Sequence, residues 1–389
     1  MPKKNLIKKN EKKIIFLTSQ PLTKWNYDRF GIKILKKKFK IEYWNISGFQ
    51  NKRFKNENNI KTMYSNLMYV KINSYKDFFK NIFRQKELFY YLDISSRISI
   101  KNVIIRKFFN LKKGKQFYIS IGNIIEDSFK FKLKNKSLKF KFKNFNIIYY
   151  FIFRYRKIIN RLIKDKFILS FVGGKIEKIF NQTEKVFSHS LDYNIFLNLK
   201  NQRGNKKENY IAFIDQNLAL NRDKRLLRHE NYVDKENYNK DLAIFLKNIE
   251  KYFKKKVVFL VHPRTKKGEK YLKNFKNLEF GKTAKLIRDS SFVITHDSTA
   301  INFGVLFRKP ILLANMDSWK HTFKEKNLFL TAKILGLKVV NIKNKKFDNY
   351  QNIKINNKLY DKFIKNYIKF KGPDINSWEI VSKKLLELN

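Results

Sequence analysis

Apolar and polar positions alternate along the chain in two registers, short buried runs and helical stripes, and their succession sets the expected architecture. Ile14 to Thr18 is a short apolar run after a charged leader, and Ser19-Gln20-Pro21 breaks it, so it reads as a buried first strand ending in a loop. Trp25 to Phe39 carries Phe30, Ile32, Ile34, Leu35 and Phe39 at roughly helical offsets, and Ile41 to Ile46 resumes as a strand. The same grammar predicts strands over Leu67 to Ile72 and Gln116 to Ile121 with a helix over Tyr75 to Leu92 between them, then Lys185 to Ser188 and an apolar segment from Leu191 to Leu199. Between these, residues 127–166 alternate Phe with Lys at period two, which suits a hairpin, before running into FIFRYRKIINRLIK.

The second half repeats the pattern more regularly. Strands are expected at Tyr210 to Ile214, Val257 to Val261, Ser291 to Thr295 and Pro310 to Ala314, with helices at Leu242 to Phe253, Lys282 to Arg288 and Ser298 to Phe307. Strand and helix in strict alternation mark a parallel sheet with crossover helices. The stretch 198–209, NLKNQRGNKKEN, has no apolar residue after Leu199 and reads as a linker. The expectation is an α/β chain of two Rossmann-like domains, 1–197 and 210–360, with a closing segment 361–389.

Composition changes this picture little. The 389 residues include 38 Phe and 20 Tyr, apolar enough for more than one core, and no Cys, which removes disulfides, thiolate metal sites and a cysteine nucleophile. Lys and Arg number 87 against 32 Asp and Glu, a formal net charge of +55. Because Lys, Asn, Ile and Phe are enriched throughout, that charge speaks to encounter with anions of any kind, lipid headgroups and nucleic acid included, more than to chemistry. No nucleic-acid-binding signature accompanies it, so no specific nucleic-acid partner is expected. No run reaches the roughly 18 residues a spanning helix needs, and no secretory leader is legible. The chain is expected in the cytoplasm, with a peripheral membrane contact through the aromatic and basic stretch 145–163 as one reading and an ordinary core helix as the other.

Candidate chemistry gathers at three expected strand ends, the place where open α/β sheets bind ligands. Asp215-Gln216 follows the first strand of the second half; its carboxylate suits a general base, with His229 and Asp234 as companions downstream, or a loop cap. His262-Pro263-Arg264 pairs an imidazole and a guanidinium in a turn fixed by proline, an arrangement that suits phosphate binding and lets His262 act catalytically by donating a proton to a departing phosphate oxygen, unless it is simply an exposed basic loop. In Thr295-His296-Asp297-Ser298-Thr299-Ala300, Asp297 or Ser298 suits a helix N-cap and the hydroxyls suit an anion, with His296 a further companion. The chain lacks G-x-x-x-x-G-K-[ST], G-x-G-x-x-G and H-E-x-x-H, so P-loop, dinucleotide and zincin readings lose support.

The runs VVFLVHPR and KTAKLIRDSSFVITHDSTAINFGVLFRKPILLAN resemble bacterial glycosyltransferases of the GT-B type that build surface polysaccharides, in particular sialyltransferases and capsule Kdo transferases with an HP motif and a later Ser-Ser or Ser-Thr motif. The resemblance covers residues 210–315 and implies two Rossmann-like domains facing across a cleft, with the C-terminal helix, Trp378 to Leu388, packing back on the first domain. It implies that His262, Ser298 and Thr299 contact the phosphate of a CMP-activated ulosonic acid, that Asp215 is the acceptor base, that the acceptor is a glycan or lipid-linked glycan, and that no metal or cofactor is needed. The acidic motif departs from that family, reading Asp215-Gln216-Asn217 where a Gly follows there, and the Ser pair reads Ser298-Thr299. Thr295 to Thr299 is also similar to the Thr-Asp-Tyr-Ser-Ser motif of CDP-glycerol phosphotransferases of teichoic-acid synthesis, with a His inserted. A non-catalytic polyanion binder is the alternative outside the enzymes.

Overall fold

Residues 12–55, 67–95, 100–120, 167–176, 183–202, 209–218, 234–320, 322–350 and 353–388 are described by a computed structural model. His229, the Phe/Lys alternation of 127–166 and the stretch 145–163 lie outside the described residues.

The first part runs β1 (Lys13–Thr18), α1 (Lys24–Arg29), α2 (Ile32–Leu35), β2 (Lys40–Asn45), α3 (Ser47–Gln50), β3 (Met68–Lys71), α4 (Tyr75–Phe83), β4 (Phe89–Asp93), α5 (Ile100–Leu111), β5 (Gly114–Ile119), β6 (Phe167–Val172), β7 (Glu184–Phe187) and α6 (Leu191–Lys200). The second runs β8 (Tyr210–Ile214), α7 (Lys235–Phe253), β9 (Lys256–Val261), β10 (Leu278–Phe280), α8 (Thr283–Asp289), β11 (Phe292–Thr295), α9 (Ile301–Leu306), β12 (Ile311–Asn315), α10 (Phe323–Leu335), β13 (Lys338–Asn341), α11 (Asn357–Phe363) and α12 (Ser377–Glu387). These strands form two sheets, ordered β3-β2-β1-β4-β5-β6-β7 and β10-β9-β8-β11-β12-β13. Every neighbouring pair is parallel, as the alternation of strand and helix requires. β1, β8, β9, β11 and β12 are buried almost end to end, the signature of strands covered on both faces.

Two expected helices are not continuous. The stripe from Trp25 to Phe39 breaks at Gly31, which adopts φ +57°; a Cβ there would lie 2.1 Å from Cγ of Trp378, so only glycine fits against α12. The helix expected over Tyr75 to Leu92 stops at Phe83, and Phe89-Tyr90-Tyr91-Leu92 becomes β4, fully paired between β1 and β5. An aromatic run in a central strand buries more ring surface than the same run on a helix face, and packing overrides the local periodicity.

α12 lies in the core of the first sheet: Trp378, Ile380, Val381 and Leu385 join Phe16, Phe30 and Leu35, and Trp378 Nε1 donates to the Arg29 carbonyl at 2.9 Å. α6 follows β7 but contributes Tyr193, Phe196 and Leu197 to the core of the second sheet. The two units are further tied where a π-helical turn, Ile364–Ile368, runs past Gly173 and Gly174. Here the Ser190 N–H donates to the Ile368 carbonyl at 2.9 Å and the Phe370 N–H to the Gly173 carbonyl at 2.7 Å.

Candidate active site

In each sheet the strand order reverses once, between β1 and β4 in the first and between β8 and β11 in the second. Loops leaving adjacent strands in opposite directions open a crevice at such a point, and that is where ligands of open α/β sheets sit. In the second sheet the crevice is framed by Asp215 after β8, by the turn from His296 after β11 and, one strand over, by His262 after β9.

Asp215 is only 5% exposed. Its Oδ1 accepts from the Asn217 N–H at 2.7 Å, and Oδ2 accepts from the His262 N–H at 3.2 Å and the Tyr271 hydroxyl at 2.8 Å. Burial raises its pKa, opposed by these hydrogen bonds and by the Gln216 N–H. Through these bonds Asp215 ties the β8 loop to the β9 loop and so sets where His262 stands. Gln216 flanks it, half-buried.

His262 is half-buried while Pro263 and Arg264 are exposed. The Arg264 N–H donates to His262 Nδ1 at 3.2 Å, which in the neutral ring puts the proton on Nε2 and makes that nitrogen a donor. The Thr265 N–H closes the turn on the His262 carbonyl at 2.9 Å. The Arg264 guanidinium reaches the other unit, 5.9 Å from the ring centre of Trp25 on α1.

The 295–300 turn differs from the expected helix cap. His296 has no exposed surface; its Nδ1 donates to the Ala314 carbonyl at 2.6 Å, its Nε2 accepts from the Tyr238 hydroxyl at 3.0 Å, and it stands edge-on to Phe213 and Trp319. Burial pushes it down to about 4, so it is a neutral core histidine linking β11, β12 and α7, not a companion at the site's surface. Asp297 pairs with Lys324 on α10 at 3.0 Å and caps nothing. α9 begins only at Ile301, with Ala300 at its N-cap and no capping side chain, because Ser298 Oγ is turned to its own loop and accepts from the Ala300 N–H at 3.3 Å. Ser298 and Thr299, both half-exposed, stand on the rim of the crevice in the turn that leads into this six-residue helix, with the Ile301 N–H donating to the Ser298 carbonyl at 3.1 Å.

Asp234 is set apart from Asp215 as the N-cap of α7, accepting from the Glu236 N–H at 3.0 Å. It borders a pocket of about 110 Å³ with Tyr238, Asp241, Asp317 and Lys343. Residues that sequence reading passed over complete the picture: Tyr271 on Asp215, Tyr238 on His296, Lys324 on Asp297, and Trp25 with Arg29 on the first unit's side. None carries a local signal, since strand order, which decides which loops meet, is not written in periodicity.

No protein-family model matches this chain, and no curated protein matches it. Among solved structures, it aligns with a histidine-to-asparagine variant of the wall teichoic acid polymerase TagF at 12% identity, over 97% of this chain and 90% of that one, with a TM-score of 0.54. A TagF structure soaked with CDPG aligns at 11% identity, over 97% and 89%, with a TM-score of 0.52. MurG of Acinetobacter baumannii aligns at 9% identity over 97% and 100%, with a TM-score of 0.47. The two-sheet architecture and the TagF alignments give this chain the GT-B fold, two parallel-sheet Rossmann-like units spanning nearly its whole length.

Proposed function

We propose that this chain is a glycosyltransferase that moves a sugar, an ulosonic acid carried on CMP, onto a bacterial surface glycan. One observation carries the reading: the His262-Pro263-Arg264 loop leaves the second sheet beside its crevice and touches Trp25 of the first unit. A donor phosphate held there lies between the two units, within reach of an acceptor on the first. In this reading His262 Nε2–H and Arg264 meet the charge on the departing phosphate oxygen, and Ser298 and Thr299 donate to its other oxygens. Fixed cations then do what a divalent ion would do, so the reaction needs no metal.

A second reading, transfer of glycerophosphate from a CDP-linked donor, is supported by the TagF likeness in fold and uses the same site. For location, we propose the inner face of a membrane, reached peripherally. No helix among the described residues is long and apolar enough to span a bilayer, while Phe83 and Leu111 stand 56% and 76% exposed among exposed Lys80, Arg84, Lys107 and Lys113.

Thermal stabilisation by CMP, CDP, UMP, UDP and GDP at moderate salt, on wild type, His262→Ala and Asp215→Asn, tests the function. Selective stabilisation by CMP that both variants lose supports the ulosonic acid donor; selection of CDP moves the assignment to glycerophosphate. Asp215→Asn, assayed for turnover as well, is expected to lose binding together with turnover, since it sets the His262 loop; retained binding with abolished turnover would instead support the base role read from sequence. Stabilisation by all nucleotides in proportion to charge would leave a polyanion binder in place of an enzyme.

A further inference from the structure

We infer that Arg29 of the first unit and Arg264 of the second, flanking Trp25, form one binding site for a phosphate-bearing ligand that is shared between the two units. Both guanidinium groups lie on the Trp25 ring, 4.7 and 5.9 Å from its centre. They arrive from different sheets, Arg29 from the helix after β1 and Arg264 from the loop after β9, and those strands flank or form the two crevices.

The arrangement is held firmly from the first unit's side. The Arg29 carbonyl accepts from Trp378 Nε1 at 2.9 Å, and Gly31, two residues on, has no room for a side chain against the same indole. α1 is itself capped by Thr23, whose Oγ1 accepts from the Asn26 N–H at 3.2 Å. From the second side, Arg264 is fixed through its own N–H on His262, whose N–H is in turn held by Asp215.

Charge makes the case for an anion. Arg29 feels the buried carboxylate of Asp192 at the start of α6, which also accepts from Asn302 Nδ2 at 2.9 Å. Burial and the neighbouring Arg264 guanidinium both lower the pKa of Arg29, so the two cations stand close enough to repel each other. A multiply charged tetrahedral group such as a phosphate or pyrophosphate relieves that repulsion, and the planar guanidinium forks match pairs of its oxygens. Trp25 supplies a flat wall over which both forks slide without losing their charge contact. Because one arginine comes from each unit, the anion would also hold the cleft together. Assignment of this anion as the donor's phosphate rests on the proposed transfer reaction; the anion site itself does not.

Calorimetric titration with inorganic pyrophosphate, and then with CMP as competitor, at fixed ionic strength tests it on the full chain. Arg29→Gln and Arg264→Gln are each expected to weaken pyrophosphate about tenfold or more, and the double variant to be little worse than either, since both hold one ion. Exposed Lys80→Gln serves as the charge control and is expected to change affinity less than about twofold. Arg29→Gln strands the Asp192 carboxylate, so it is also made with Asp192→Asn, and Arg29→Lys keeps the charge but removes the fork. Wild-type affinity in a folded Arg29→Gln/Asp192→Asn chain would overturn the shared site, as would losses that multiply in the double variant or equal loss in Lys80→Gln. Pyrophosphate binding that needs both arginines but is not displaced by CMP would keep the site and sink the reading of a CMP-linked donor.

Discussion

Two histidines at strand ends looked alike in the sequence and have opposite fates. His262 follows a buried strand and is turned outward by Pro263, while His296 follows a buried strand and is turned inward, onto Ala314 and Tyr238. The strand end was legible in both; the direction was not, because it depends on Trp319 and Tyr238, which arrive from distant positions. Burial gives His296 a measurable signature. Its folded value is about 4 against roughly 6.5 when unfolded. A histidine lowered on folding lends stability that is fully present above the unfolded value, declines as pH falls through 6.5, and is gone below 4. At neutral pH the contribution is about 3 kcal/mol, set by the difference between those two values. Chemical denaturation from pH 7.5 to 4 should show wild type losing stability more steeply than His296→Gln. Parallel slopes would mean that His296 is not the neutral buried group described.

At the scale of elements, the second unit's strands β8, β9, β11 and β12 stand where their apolar runs end on polar residues, because a strand buried on both faces has to be apolar throughout. The first unit was less legible for a physical reason: aromatic residues serve either period, so the Phe89 to Leu92 run continued a helical stripe as readily as it began β4. Gly31 is the plainest case of a break invisible in periodicity, since its cause is Trp378, 347 residues away in sequence and in contact in space. Gly31→Ala combines a left-handed backbone with a Cβ 2.1 Å from the indole, and should cost on the order of 2–4 kcal/mol. Thermal or denaturant unfolding reads the loss. With Trp378→Ala the steric part should vanish, so the double variant should be markedly less destabilised than the sum of the singles. Full additivity would show that the indole is not what forbids the side chain.

For the whole molecule, a charge of +55 and two sheets facing across a cleft make separate demands on one surface. The positive field draws in anionic donors and anionic lipid alike, and by itself distinguishes neither. What distinguishes them is apolar surface. Tyr75, Phe79 and Phe83 stack along α4 at centroid distances of 6.4 and 5.9 Å, Phe108 of α5 meets Phe79 at 4.9 Å, and Lys112 lies 4.8 Å over the Phe83 ring. This face belongs to the first unit, away from the arginine pair, and joins exposed rings to lysine stems whose charged ends reach headgroups. Its exposure supports the peripheral location proposed above and keeps that proposed contact apart from the proposed reaction site. The chain should therefore sediment with vesicles containing anionic lipid and much less with neutral ones. Phe83→Ser/Leu111→Ser should lower that partitioning about thirtyfold or more at physiological salt, since each change removes apolar burial worth on the order of 1–2 kcal/mol and the two add. Salt alone should weaken the electrostatic share equally in both proteins. Nucleotide stabilisation should be untouched in the double variant, because neither residue approaches the cleft. Unchanged vesicle binding in that variant would leave charge as the whole attraction and remove α4 and α5 as the docking face.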